Sequence, residues 1–139
     1  MNTPSDFILS LDYRAATGGN GGLFLRSSTT GPPWVTGLEV QITNEDRLPI
    51  HSTGSIYNRI PAEPTADERP NNWHHLEIAY KGDSLLVCVD GVTIVSEPDL
   101  TTTYPAITWP SDGVLGLQNE HSAANGSIEF RNIRLLSLD

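Results

Sequence analysis

A single cysteine, a single methionine and the absence of any apolar run near the ~18 residues of a membrane span narrow this chain before any motif is sought. The lone Cys88 excludes an internal disulfide. Its place inside the run SLLVCVDG marks it as a small buried hydrophobe rather than a nucleophile, and it leaves the compartment undecided. Basic residues are scarce: 8 Lys plus Arg stand against 17 Asp plus Glu, a formal charge of −9. Such a surface repels a phosphate backbone and no basic stripe offsets it, so a nucleic-acid partner is excluded in favour of a neutral ligand or a cation. The N-terminal MNTPSDF has neither the basic start nor the apolar stretch of a signal peptide. The expectation is a soluble chain with no membrane partner, extracytoplasmic if it is cut from a longer exported protein.

Long stretches of helical period are missing too, and so are HExxH, CxxC and GxSxG. GGNGG lacks the following helix and lysine that phosphate binding requires. What remains, in 139 residues with 12 Gly and 10 Pro, is a series of short alternating runs separated by turn residues, which predicts one all-β domain over 1–139. FILSLDYRA, LFLRSS and LEVQIT alternate at a period of two. TTGPPWVTG reads as a loop, because paired prolines preclude a ladder, and TGSIYNRIPA reads as a short strand within the irregular stretch 44–72. LEIAYKGDSLLVCVDGVTIVSE reads as a three-strand meander turned at KGD and DG. VLGLQNE and SIEFRNIRLLSL close the chain. In the last run Ile128 and Phe130 share one parity and Ile133 and Leu135 the other, which calls for a β-bulge near Arg131 and Asn132. Strands of this kind pack as two antiparallel sheets in a sandwich.

In order, GNGGLFLRSS, GLEVQI, TGSIY, NNWHHLEIAYKGDSLLVCVDGVTIV, GVLGLQNE and IEFRNIRL resemble successive blocks of the 3-keto-disaccharide hydrolase-like family, from about Asp6 to Leu138. The resemblance implies a concanavalin-like jelly roll, related in architecture to laminarinase-type glycosidases and laminin G-type modules. Members carry several tens of residues ahead of the equivalent of Phe7, which implies a sandwich lacking its N-terminal edge strand or borrowing one from a partner. They also show Asp-His-Gly after the GLQ block, whereas here the chain runs Asn119, Glu120, His121, Ser122.

Saccharides lie across the concave sheet of a jelly roll, so the polar positions opposite the core carry the functional expectation. Glu39 and Gln41 project in parallel from one strand face, about 7 Å apart. Arg26 offers a fork of donors on the neighbouring strand. The plain alternative is a solvated face bearing an Arg26–Glu39 cross-strand pair. With the resemblance, Glu39 or His121 is expected to act as the base on a 3-keto sugar, with Arg26 polarising the ketone. Gln41, Tyr57, Gln118, Arg131 and Trp34 are expected to bind the saccharide. No cofactor or metal ligand set is expected at this site. Gln41 stands where a two-acid glycosidase of the laminarinase type carries its second carboxylate, which disfavours that route. The alternative function is a non-catalytic lectin-like or laminin G-like module, with a calcium ion held by loop Asp and Asn residues. Trp73 is expected in the core, and the adjacent His74 and His75 on opposite faces of a strand.

Overall fold

The computed structural model describes residues 3–45 and 47–139. Eight strands are formed among them: β1 (Phe7–Ala15), β2 (Asn20–Ser27), β3 (Leu38–Thr43), β4 (His74–Lys81), β5 (Ser84–Val89), β6 (Val92–Glu97), β7 (Val114–Gln118) and β8 (Ile128–Ser137). Short helices, α1 (Pro33–Thr36) and α2 (Leu100–Thr103), sit in the connections. All strand pairs are antiparallel. The larger sheet has the order β6-β5-β4-β1-β8 and the smaller β3-β2-β7, a two-sheet jelly-roll sandwich.

Alternation puts Phe7, Leu9, Leu11 and Tyr13 of β1 and Leu76, Ile78 and Tyr80 of β4 on the inner face of the large sheet. Leu23 and Leu25 of β2 and Leu38, Val40 and Ile42 of β3 meet them from the small sheet. These side chains form one core, the dominant favourable term in the fold. The meander β4-β5-β6 forms as its pattern predicts, with Tyr80 opposite Leu85 and Ile78 opposite Val87. The bulge in β8 also forms: the β1–β8 register shifts between Ser10 and Asp12, and Asn132 takes a φ of 54°.

Four expectations are corrected here. Residues 53–62 make no strand. Gly54 and Asn58 have φ of 85° and 60°, and the segment touches β3 through a single bridge, Ile56 to Val40. It nevertheless satisfies that free edge: Gln41 N donates to Ser55 O at 3.0 Å, Gly54 N to Gln41 O at 2.9 Å and Tyr57 N to Glu39 O at 2.9 Å. The proline-rich loop contains α1, with Pro33 at its first turn, where a missing N–H costs nothing. Trp73 lies outside the core, its ring covered by Arg131 at 3.7 Å and Arg14 at 4.8 Å.

Arg26 is the fourth. The pairing of β2 with β7 shifts between Phe24 and Ser27, and Arg26 sits in the shift at a φ of 47°. This local irregularity turns its side chain from the outer face of the small sheet into the interior, where it is 3% exposed.

On the outer face of the large sheet, Asp12 joins three strands. It accepts from Arg131 Nε at 3.3 Å and Asn132 Nδ2 at 2.8 Å on β8, and lies 2.9 Å from His75 Nδ1 on β4. The His75 contact, then Asn132 and Arg131, hold its pKa down at about 2. A depressed carboxylate stabilises the fold above its unfolded pKa near 4 and loses that contribution as pH falls through about 2. Asp12→Asn should therefore lower stability at pH 7 by less than about 1 kcal/mol, because solvent screens the cluster. The difference should vanish near pH 2, as thermal unfolding of the two proteins across pH will show.

Candidate functional site

The outer face of the small sheet forms rows across β3, β2 and β7. Glu39, Phe24 and Gly116 make one row, and Gln41, Gly22 and Gln118 the next. Gly22 leaves the space between the two glutamines open. It must be glycine, because a Cβ there would run into the Val40 carbonyl oxygen. Over these rows lies a cavity of about 300 Å³ lined by Asn20, Trp34, Glu39, Gln41, Arg47, Tyr57, Gln118 and His121.

Local structure brings each group in. Helix α1 lifts Trp34 over the Glu39 row, where its ring lies 6.5 Å from that of Phe24 and stays 49% exposed. The 53–62 segment delivers Tyr57, whose ring packs on His51 at 4.8 Å. His121 is tethered by its backbone, its N donating to Asn20 O at 2.7 Å. Arg47 reaches the cavity while ion-paired with Glu45.

The electrostatics are uneven. Glu39 is half-buried, and desolvation alone pushes its pKa up to about 7. A carboxyl poised there exchanges protons at neutral pH. Gln41 is 1% exposed and donates through Nε2 to Asn20 Oδ1 at 3.3 Å. Its Oε1, and that of Gln118, are buried without a donor from any described residue. Two orphaned acceptors beneath a cavity are costly unless a ligand or water supplies hydroxyl groups.

Six of the eight expected residues thus converge: Glu39, Gln41, Tyr57, Gln118, His121 and Trp34. Two do not. Arg26 lies between the sheets, donating to the carbonyls of Ser5 and Gly82, both at 2.9 Å, and of Pro110 at 3.1 Å, and pairing with Asp6 at 3.1 Å. Arg131 belongs to the other sheet, held by Asp12 and Trp73. Its bulge was correctly expected, but the strand that carries it faces the opposite side of the sandwich. Asn20 and Arg47 were missed. Asn20 follows the Leu23, Phe24 alternation two steps further back and was legible in principle. Arg47 follows no strand pattern.

A second polar group lies elsewhere. Asp67, His74 and Asp90 bring their ligand atoms within 4.8 Å of one another. These groups already serve each other: His74 Nδ1 lies 2.7 Å from Asp90 Oδ2, Nε2 lies 3.1 Å from Arg69 O, and Arg69 holds Asp67. Burial pulls the His74 pKa down, but the hydrogen bonds to Asp90 and the Arg69 carbonyl outweigh it and the net direction is up.

The model of the 3-keto-alpha-glucoside-1,2-lyase-like domain matches residues 2–136. The chain belongs to that family. Among solved structures, this lyase-like domain is similar to a candidate glycosyl hydrolase from Parabacteroides distasonis, with a TM-score of 0.83 and 25% identity over 95% of this chain and 78% of that one. A second candidate glycosyl hydrolase from the same organism gives 0.79 and 21% over 98% and 71%. The carbohydrate binding module CBM66 from Bacillus subtilis gives 0.66 and 16% over 99% and 78%, which shows a shared fold. No curated protein matches the chain. Within the lyase-like domain the cavity thus sits on the outer face of the smaller sheet, with the Glu39 carboxyl in one row and the amides of Gln41 and Gln118 in the next.

Proposed function

We propose that this lyase-like domain recognises carbohydrate, and that its cavity takes a glycoside bearing a ketone at C3, with Glu39 as the acid–base group. The carrying observation is Glu39 itself: a carboxyl inside the cavity whose desolvation sets its pKa at about 7. A C3 ketone acidifies the C2–H bond. Glu39 takes that proton, and the C–H electron pair becomes an enolate delocalised onto the ketone oxygen. Collapse of the enolate forms the C1=C2 double bond and breaks the C1–O bond, whose electrons leave on the aglycone oxygen. That oxygen takes up a proton, yielding an unsaturated keto sugar and a free alcohol. One base and a donor for the ketone oxygen suffice, so the missing second carboxylate is no obstacle. Arg26 is too deep to be that donor; Arg47, Asn20, Tyr57 and His121 line the cavity and carry donors for it.

Gln41 and Gln118, placed on either side of Gly22, suit vicinal hydroxyls, and Trp34 supplies a face for the ring. Trp34→Ala should weaken sugar binding roughly tenfold, a loss of about 1–2 kcal/mol, with little change in Tm because the ring is half exposed. Titration calorimetry beside thermal unfolding checks both. The overall reading is tested by incubating the protein with a 3-keto-glucoside and following release of the aglycone. Binding without turnover would leave a lectin-like module, and absence of both would remove the site.

A further inference from the structure

The larger sheet ends at β6, where Glu63 N donates to Ile94 O at 3.0 Å, and at β8, a ten-residue strand. Unlike the edge at β3, which residues 54–57 cover, the β8 edge is open: from Glu129 to the C-terminus only Phe130 is better than exposed. Leu135 pairs with the buried Leu9 and so faces inward, as does Ile133, yet they remain 44% and 52% exposed. A long edge with uncovered apolar side chains is a template for another strand.

The bulge at Asn132 shapes what fits there. By slipping one residue it brings Ile128 and Phe130 before it, and Ile133 and Leu135 after it, to the same face. The strand therefore reads alike in both directions about Arg131 and Asn132. Ile128 N already donates to Asn119 O at 2.7 Å, so the open edge begins at Glu129; laid antiparallel on a second copy, Phe130 meets Ile133 on the inner face, Glu129 meets Arg134 on the outer face, and Arg131 meets Asn132 at the centre. Every pair occurs twice, as two-fold symmetry requires. Arg134 makes no ion pair or side-chain hydrogen bond with any described residue, so its charge is free for a partner.

We propose that β8 is a dimer interface, at which a second copy of this chain pairs antiparallel and joins the two large sheets into one. Apolar and opposite-charge cross-strand pairs supply the affinity, and the Glu129–Arg134 pairs set the register. Light scattering after size-exclusion chromatography, from about 1 to 100 μM, reads the outcome. The unaltered chain is expected to dimerise. Glu129→Arg and Arg134→Glu, each placing like charges opposite one another twice, should each weaken the dimer at least about tenfold. An equimolar mixture of the two variants should dimerise again, because every repelled position then meets its opposite. Circular dichroism and thermal unfolding confirm that both variants fold, and Arg134→Glu leaves the internal Arg14–Glu129 pair untouched. A chain monomeric throughout the range would overturn the proposal. So would single variants that dimerise like the parent, a mixture that stays monomeric, or β8 amides slowed in exchange only by a different strand-forming polypeptide.

Discussion

Glu39→Gln is expected to cut turnover of a 3-keto-glucoside by about 10²- to 10⁴-fold while making the protein harder to unfold at pH 8. Both effects come from one cause. Burial raises the Glu39 pKa from 4.5 to about 7, so between those values the folded chain keeps a proton that the unfolded chain releases. Stability must then fall as pH rises through this window, and above it the fold carries an unpaired, half-buried charge. Glutamine preserves the shape and removes the charge. Its gain should be about 1–3 kcal/mol at pH 8, allowing for partial solvent screening, or a Tm increase of about 5 °C. At pH 4, where Glu39 is protonated in both states, the two proteins should unfold together. In the parent, kcat/KM should rise about tenfold per pH unit below 7 and level off above it, because the ionised form is the base. Identical unfolding of parent and variant at pH 8 would show that desolvation does not tune this carboxyl. A kcat/KM profile flat across pH 5–8 would remove it as the base.

Arg26→Met should be the most destabilising single substitution in the cavity-bearing sheet, and it should act on the fold rather than the chemistry. The guanidinium lies 3.5 Å over the Tyr80 ring and ties β2 to the Gly82 turn of the opposite sheet, to the chain before β1 and to the Pro110 loop. Removing it strands three carbonyls and the Asp6 carboxylate, which also accepts from Gly82 N. Breaking a buried charge network of this kind costs about 3–5 kcal/mol, or a Tm loss of about 10 °C or more. Arg26→Lys should recover only part, since an ammonium cannot serve the same fork of acceptors. Below its Tm the variant should still bind sugar. A variant with unaltered Tm and lost turnover would instead return Arg26 to the cavity chemistry.

These two residues also mark how far the sequence carries. Glu39 and Gln41 lie on a strand whose period of two is unbroken, so their common outward face follows from the pattern LEVQIT, and the cavity forms over them. Arg26 continues an equally clear alternation in LFLRSS, but one residue of slippage against β7 inverts its face. Strand parity survives only as long as the ladder is regular. Arg131 failed differently: its bulge is visible as a parity conflict within one strand, but the sheet to which that strand belongs depends on its partner. The sheet order pairs β8 with β1, across most of the chain's length, and local sequence holds no record of that distance.

What the sequence determined by itself was the eight strands that form, the all-β class and the polar row on β3, because alternation and turn chemistry act over a few residues; the strand expected at 53–62 did not form. The tertiary structure decided the rest. It placed Tyr57, Trp34, Arg47 and His121 around Glu39 from connections of no regular period. It also set the pKa of Glu39, because desolvation is produced by neighbours remote in the chain, and a carboxyl becomes a base suited to neutral pH only when they close over it.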